Sequence, residues 1–267
     1  MRLFSLRSVR SRTRAQGLGA AGLVAGVGLA VAGAPWAGAA LFIVGIAAVL
    51  LAELARVEAA VLGAARQQHA LLELQPLLGD FPILLGGWAA DPLLLRHAVE
   101  MLAELRPGLV VECGSGSSTV ILARCLRRLG AGRLVSLEHD PEFARRTQAQ
   151  LKLHGVEDVV TLVTAPLVER RAPDGRALRW YAPNYEPALS APVDVLLVDG
   201  PPGSEGPRAR YPALPLLASH LAPACAVLLD DTDRQEEREI AQEWARELGW
   251  RAVRLPTGHG AWLIRPA

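Results

Sequence analysis

The chain has its longest apolar stretch near the N-terminus. Residues 15–52 carry no charged side chain, whereas residues 1–14 carry five arginines and no acid. As one helix the apolar stretch would extend roughly 57 Å at about 1.5 Å per residue, nearly twice a hydrocarbon core of about 30 Å. Pro35 near its middle predicts a break, which leaves two helices near residues 17–34 and 37–54.

Two apolar helices joined by a short turn predict a membrane hairpin. Gly22 and Gly26 have the Gly-x-x-x-Gly spacing that lets two helices pack closely. Arginines precede the first helix, and Arg56 and Arg66 follow the second, so the positive-inside rule places both ends of the hairpin in the cytoplasm. Two alternatives stay open. One is a cleaved signal peptide, suggested by the Ala-Gly-Ala triplet at 32–34; the other is a hairpin buried in a soluble protein, because the first segment is mostly Ala, Gly and Val.

The next segment mixes apolar and charged residues in a helical spacing. Residues 55–75 predict an amphipathic connecting helix that ends before Pro76. Asp91 followed by Pro92 predicts an N-cap and a first helical residue, opening a helix to about Leu105. The predicted domain organisation is a basic N-terminus with a membrane hairpin at 1–54, the connecting helix at 55–75 and a globular domain at 76–267.

Beyond residue 105, short apolar runs alternate with helical patterns. This alternation predicts an α/β domain with a doubly wound, mostly parallel sheet and helices on both faces. The last two strands are joined by too few residues for a crossover connection and must be antiparallel. Residues 165–192 have only weak periodicity. The predicted strands are 109–111, 133–138, 159–164, 194–199, 224–230, 250–255 and 261–265, and the predicted helices are 117–129, 141–154, 208–221 and 234–248.

Composition and charge restrict the partners of the chain. The net charge is +1 over 267 residues. Phosphate binding normally shows as a strong basic excess, so nucleic acid is not the expected partner. The cysteines at 113, 125 and 225 lack metal-ligand spacing. We therefore expect them to be small buried hydrophobic residues of a protein in a reducing compartment.

The most informative stretch is a glycine-rich turn between the first predicted strand and the helix that follows it. Gly114 and Gly116 allow a tight turn and a close approach of the backbone to a ligand at the helix N-terminus. A dinucleotide site would have a third glycine where Thr119 stands. Glu112 would repel a pyrophosphate but could attract a cationic ligand. The turn therefore favours S-adenosylmethionine (SAM) over NAD.

This turn resembles motif I of the class I SAM-dependent methyltransferases. Its sequence, E-C-G-S-G-S-S-T, is similar to that of a bacterial subgroup whose turn is E-x-G-S-G-x-S-T. It departs from the commonest family pattern at Ser118, where that pattern has a third glycine. The resemblance implies a Rossmann-like fold of five parallel strands that ends in an antiparallel pair. SAM is the cofactor that it implies. The expected cofactor-binding residues are Glu112, Cys113, Gly114, Ser115, Gly116, Ser117, Ser118, Glu138, His139, Ala165 and Asp199.

Residues at the carboxyl ends of the strands carry the rest of the predicted cofactor site. Glu138 ends the second strand, and the resemblance implies that its carboxylate accepts hydrogen bonds from both ribose hydroxyls. His139 belongs to the same similar run, Ser-Leu-Glu-His-Asp at 136–140. At the end of the third strand no side chain can contact adenine directly, so a backbone amide near Ala165 is the expected contact.

Three aspartates end the fourth and fifth parallel strands. Burying a charge is costly unless it is used or paired, so Asp199 is the preferred catalytic base or substrate-side residue. Asp230 and Asp231 complete the predicted catalytic set. These positions resemble those of catechol-type O-methyltransferases, which hold a divalent ion there. We predict no metal, because Asp230 and Asp231 could instead stabilise the N-terminus of the next helix, but a divalent ion stays an alternative.

Together these features predict a membrane-tethered SAM-dependent methyltransferase with its catalytic domain on the cytoplasmic side. It would transfer a methyl group to an oxygen or nitrogen atom of a small-molecule acceptor. The loops at 179–185 and 207–212 carry aromatic and basic residues that could contact this acceptor or simply pack. Two other classes stay open: a nicotinamide-dependent oxidoreductase and a non-catalytic membrane scaffold.

Overall fold

The computed structural model divides the chain into two compact units, residues 1–66 and residues 67–267. Each unit is described by itself below. The described residues are 21–25, 27, 34–79, 81–83, 90–173 and 175–266.

A long helix, α1 (Pro35–Leu78), replaces the two separate helices predicted between residues 37 and 75. Leu54 and Ala55 stand where the sequence suggested a change from one helix to the next, and both are good helix formers. The change from apolar to mixed composition at this point therefore does not interrupt the helix. Pro76 lies inside the last turn, and the helix ends two residues later.

The first unit contains further helical residues, 21–25 and 27, besides the start of α1. A Cβ atom added to Gly22 would lie 3.3 Å from the Cα of Gly45 and 3.5 Å from the carbonyl oxygen of Leu41, so the two backbones approach closely at this glycine. Gly26 and most of the predicted helix near 17–34 lie outside the described residues.

The apolar half of α1 exposes large side chains. Within the part of the chain that the structure describes, α1 is the one helix long and apolar enough to cross a membrane, and 11% of its most apolar window is buried. A signal sequence or a core helix of a soluble protein can pass the same test of length and composition. The exposed apolar residues of α1 include Phe42, Ile43, Val44, Leu50, Leu51, Leu54, Val57 and Val61.

The second unit is built on a mixed sheet of seven strands among the described residues, in the order β3-β2-β1-β6-β7-β9-β8. β3, β2, β1, β6 and β7 run parallel, and β9 is antiparallel to both β7 and β8. The predicted α/β fold with a terminal antiparallel pair is confirmed. The strands are β1 (Leu109–Cys113), β2 (Arg133–Glu138), β3 (Val160–Thr164), β4 (Leu167–Arg171), β5 (Ala177–Tyr181), β6 (Val193–Val198), β7 (Leu221–Asp230), β8 (Arg251–Leu255) and β9 (Ala261–Arg265).

Helices cover both faces of this sheet. As predicted, the helix after Asp91 begins with proline: Asp91 Oδ1 accepts hydrogen bonds from the amides of Leu93 (2.7 Å) and Leu94 (3.3 Å). All five residues of β1 are buried, as a parallel strand covered on both faces requires. The helices are α2 (Pro92–Leu105), α3 (Ser117–Leu129), α4 (Pro141–Leu153), α5 (Ala213–Leu217) and α6 (Gln235–Leu248).

The two sides of the sheet form separate apolar cores. Val110 of β1 points into a core with α2 and α3, whereas its neighbour Val111 points into the opposite core. That second core contains Trp180, Tyr185 and Trp244, each with no exposed surface. The aromatic residues that the sequence placed in a contact loop are therefore in part structural.

Two regions differ from the sequence-based prediction. The weakly periodic stretch 165–192 contains a β-hairpin, β4 paired antiparallel with β5, whose outward residues are charged and hide the alternation. The helix predicted at 208–221 is reduced to α5. Pro212 disfavours a helical conformation at the residue before it, so the helix cannot begin at Arg208 and instead starts just after the proline.

Candidate active site

Gly114 sits at a close approach between two strand ends. Its φ is +92°, a left-handed conformation that favours glycine. A Cβ atom there would lie 3.2 Å from the backbone nitrogen of Gly200, which follows β6. The amide of Asp199 donates to the carbonyl oxygen of Cys113 at 3.0 Å, so the backbone joins the turn after β1 to the turn after β6.

The other side of the same turn is open. A Cβ atom added to Gly116 would meet no described protein atom within 4 Å. Ser117 begins α3, so the free backbone amides at its N-terminus lie next to this open side. Ser117 and Ser118 are largely withdrawn from solvent: Ser118 is 5% exposed, and Ser117 Oγ has no hydrogen-bond partner among the described residues. The turn thus leaves its backbone uncovered on this side by the described residues.

Glu112 lies beneath the turn rather than facing solvent. Its carboxylate is fully buried, and Oε2 accepts hydrogen bonds from Thr119 Oγ1 (2.6 Å) and Ser136 Oγ (2.7 Å). Thr119 Oγ1 also accepts from the amide of Gly116 at 2.9 Å. Burial raises the pKa of Glu112 to about 7. Thr119, which stands where a dinucleotide site would have its third glycine, therefore connects Glu112 to the turn.

Glu138 ends β2 and holds the turn from its other side. Its Oε2 accepts from the amide of Ser115 (3.0 Å) and from Ser115 Oγ (3.1 Å), and its Oε1 accepts from the amide of Asp140 (2.9 Å). Burial alone would raise the pKa of Glu138, but the neighbouring His139 ring and the two amides outweigh it, so this pKa lies below its ordinary value. The same contact with Glu138 raises the pKa of His139.

Two residues of the predicted cofactor site, Ala165 and Cys113, have no exposed surface. Ala165 is buried, and its amide already donates to the carbonyl oxygen of Glu138 at 2.7 Å, so this amide is not available to adenine. The thiol of Cys113 has no exposed surface, and burial raises its pKa well above the ordinary value. The β2–β3 pairing thus extends to Ala165, and a contact of this residue with adenine stays a prediction.

The three predicted catalytic aspartates do converge. One carboxylate oxygen from each of Asp199, Asp230 and Asp231 lies within 4.8 Å of the other two. Asp231 adopts a left-handed conformation (φ +60°), which turns the chain sharply after β7. Burial raises the pKa of Asp199 to about 6 and also raises the pKa of Asp230.

Sequence reasoning missed the central role of Arg210 in this cluster. Its side chain is 4% exposed, and its Nη2 lies 3.1 Å from Asp199 Oδ1 and 2.7 Å from Asp231 Oδ2. Its Nη1 donates to the carbonyl oxygen of Asp230 at 3.0 Å. Arg210 belongs to the basic loop that was singled out for substrate contact, and no local pattern indicated that it turns inward. The signal lay elsewhere: three neighbouring acids require a buried cation.

A cavity of about 400 Å³ is lined by β5 and by the loop between β6 and α5. Pro201, two residues after Asp199, forms part of its wall. Glu205, also in the wall, lies 3.9 Å from His139 Nε2, so the cavity borders the predicted cofactor residues. Three arginines line it together with Tyr211, whose ring lies 5.0 Å from the guanidinium carbon of Arg176 and 4.5 Å from that of Arg208. The remaining arginine, Arg179, pairs with Glu205.

The fold and the site define a class of protein. A glycine-rich turn after the first strand, an acid at the end of the second and a terminal antiparallel pair together form the arrangement of a class I SAM-dependent methyltransferase domain. Residues 111–232 match a family model described as a methyltransferase domain. The chain is a SAM-dependent methyltransferase, and the alternatives of a nicotinamide enzyme and a non-catalytic scaffold are set aside.

Solved structures share this fold at low sequence identity, whereas no curated protein sequence matches the chain. A methyltransferase from Podospora anserina with bound S-adenosylhomocysteine (SAH) has 19% identity and a TM-score of 0.56, covering 79% of this chain and 96% of its own. An O-methyltransferase from Bacillus cereus with SAH has 15% identity and a TM-score of 0.52, over 76% and 91% of the two chains. A protein from Staphylococcus aureus described as a putative caffeoyl-CoA O-methyltransferase has 12% identity and a TM-score of 0.51, over 79% and 99%.

Proposed function

We propose that this enzyme transfers the methyl group of SAM to an oxygen atom of a small molecule, with Asp199 as the general base. The observation that carries the proposal is the position of Asp199. Its amide donates to the Cys113 carbonyl oxygen at the end of β1, next to the turn at 114–118, and Pro201, two residues further on, lines the cavity. We therefore infer that Asp199 lies between the methyl donor and the acceptor. Two of the similar structures are an O-methyltransferase and a protein described as a putative O-methyltransferase, which favours oxygen over nitrogen.

The chain's own residues would do three things during transfer. The turn at 114–118 and Glu138 would hold the cofactor, which supplies an electrophilic methyl group on a sulfonium centre. The cavity would place the acceptor hydroxyl in line with that methyl group. Asp199 would take the hydroxyl proton as the new carbon–oxygen bond forms and the carbon–sulfur bond breaks. Its raised pKa, about 6, makes it a stronger base than an ordinary aspartate while leaving it ionised at neutral pH.

The cavity also suggests what kind of acceptor binds. Its volume of about 400 Å³ suits a small molecule rather than a polymer. Among its three arginines, Arg179 pairs with Glu205 and Arg208 pairs with Glu243, so charge does not define the acceptor further. We therefore expect a small hydroxylated molecule as the acceptor.

The first experiment is a calorimetric titration of the purified protein with SAM, SAH and NAD. We expect binding of SAM and SAH and no binding of NAD. The second is an assay of SAH release with small hydroxylated compounds and their amino analogues as matched pairs. Turnover with the hydroxyl compounds and little with the amines is expected. Tight NAD binding without a SAM signal would refute the proposed function, and equal turnover within each pair would remove the preference for oxygen.

We also propose that the N-terminal segment tethers the enzyme to a membrane, with the catalytic unit on the cytoplasmic side. The exposed apolar residues of α1 and the close backbone approach at Gly22 support a helical hairpin in lipid. Charged residues return along α1 at Glu53, which pairs with Arg56 at 2.7 Å. A charged, polar surface there is suited to the membrane–water interface.

A further inference from the structure

The three aspartates of the site have the composition of a divalent-cation site. Carboxylate oxygens are the ligands preferred by Mg²⁺ and Ca²⁺, and one oxygen each from Asp199, Asp230 and Asp231 could converge on an ion. Asp230 Oδ1 is buried without a hydrogen-bond partner among the described residues. A resident cation would normally be expected to neutralise such a cluster.

A guanidinium group already occupies the cluster. Arg210 Nη2 lies within hydrogen-bond distance of both Asp199 (3.1 Å) and Asp231 (2.7 Å). The same side chain is fixed by a third bond, from Nη1 to the Asp230 carbonyl oxygen. An ion would need those oxygens at about 2.0 to 2.6 Å and would lie beside a buried positive charge. The residues present therefore do not fit a divalent ion while Arg210 stays in place.

We propose that Arg210 is a built-in cation that takes the place of a divalent metal, so that this enzyme transfers methyl groups without one. The inference rests on the methyl transfer proposed above. Arg210 is a positioning residue: it fixes the Asp199 carboxylate by a directional bond at the end of β6. Arg234, half exposed, adds a second contact to Asp231 at 3.0 Å but does not reach into the cluster as Arg210 does.

The geometry also relates Arg210 to the acceptor. Tyr211, the next residue, lines the cavity, and the indole nitrogen of Trp244 donates to the Tyr211 carbonyl oxygen at 3.2 Å. Trp244, which belongs to α6, is fully buried in the core. The backbone that carries Arg210 is thus fixed on one side by the core and on the other by the aspartates. Such a rigid support suits a group that must hold a base in position.

The test begins with the unaltered full-length protein. Mn²⁺ binding is measured by the paramagnetic resonance of free Mn²⁺, and SAM binding by calorimetry, so neither needs an acceptor. We expect no Mn²⁺ uptake and normal SAM binding. Once an acceptor is found, EDTA and added Mg²⁺ should leave turnover unchanged. Stoichiometric Mn²⁺ uptake, or turnover lost with EDTA and restored by Mg²⁺, overturns the proposal while leaving SAM-dependent methyl transfer intact.

Variants then test the replacement itself. Arg210→Met removes the charge at similar length, and we expect it to take up about one Mn²⁺ and to lose turnover by about 10²-fold, because the base is no longer fixed. Arg210→Lys should keep Mn²⁺ out and retain more turnover than Arg210→Met. Arg234→Ala is the matched control and should take up no Mn²⁺. A folded Arg210→Met protein, judged by near-UV circular dichroism and SAM binding, that takes up no Mn²⁺ would contradict the replacement.

Discussion

At the scale of single residues, the acids of the site differ sharply in what surrounds them. Glu138 accepts three hydrogen bonds from its own chain, Glu112 has one bonded oxygen and one without a described partner, and Asp199 is paired with a buried guanidinium group. These surroundings push their pKa values in different directions. They also give each residue its own experimental signature.

Replacing Glu138 with Ala should weaken SAM binding by about 1.5 to 3 kcal/mol, the value of hydrogen bonds to a charged group. The loss follows because the proposed ribose acceptor and the tie to Ser115 disappear together. Calorimetric titration measures it, with Glu239→Ala, an exposed carboxylate on α6, as the control. If SAM affinity is unchanged, the ribose site lies elsewhere.

Replacing Asp199 with Asn should abolish turnover and leave SAM affinity unchanged, since the amide cannot accept the acceptor's proton. In the unaltered enzyme the base works only when ionised. Because burial places its pKa at about 6, turnover should fall as the pH is lowered through about 6. A pH–rate profile checks this. Full activity in Asp199→Asn would exclude this residue as the base.

The protonation of Glu112 should affect the free energy of unfolding rather than turnover. Its folded-state pKa of about 7 lies above the ordinary 4.5, so the folded protein retains a proton that the unfolded chain loses first. The contribution of Glu112 to stability is therefore complete below about pH 4.5 and declines as the pH rises to about 7. Glu112→Gln should lack this decline. Denaturant unfolding at several pH values compares the two, and parallel pH dependences would contradict it.

At the scale of elements, prediction succeeded where local signals agreed. Helix α3 has the predicted bounds because Gly116 precedes it and Gly130, in a left-handed conformation, ends it. Strands β1 and β2 are mostly apolar runs between turn residues. Helix α5 was predicted too long because of Pro212, and the β4–β5 hairpin was missed because charged residues interrupt the alternation there. The three acids indicated that a cation lies near them, but that Arg210 supplies it depends on how two distant strand ends fold together.

The turn between β1 and α3 offers an element-scale test through Gly114→Ala. The substitution forces an alanine into a left-handed conformation, at about 1 to 2 kcal/mol, and pushes its Cβ against Gly200. We expect lost SAM binding as well as lower stability. Gly130→Ala is the matched control, because it has a similar conformation (φ +71°) and no described neighbour within 4 Å. It should lose stability alone, and equal SAM loss in both would contradict the expectation.

At the scale of the whole molecule, the chain joins a catalytic unit to an apolar helical segment. If this segment is a tether, the full-length protein should stay in the membrane fraction after a high-salt wash and dissolve only in detergent. Deletion of residues 1–66 should release the rest to the soluble fraction. A reporter fused after residue 267 should face the cytoplasm. Full-length protein that is soluble without detergent would refute the tether.

The contact between Gly114 and Gly200 has a consequence for how such an enzyme could diversify. If Asp199 is the base, as proposed, its spacing from the methyl donor is set there by backbone against backbone, with no side chain in between. The arginines that line the cavity belong instead to β5 and to the loops around it and before α5. Substitutions in those segments can change which molecule is accepted without altering the transfer distance. New acceptor preferences should therefore be obtainable, by selection or by engineering, from these segments alone.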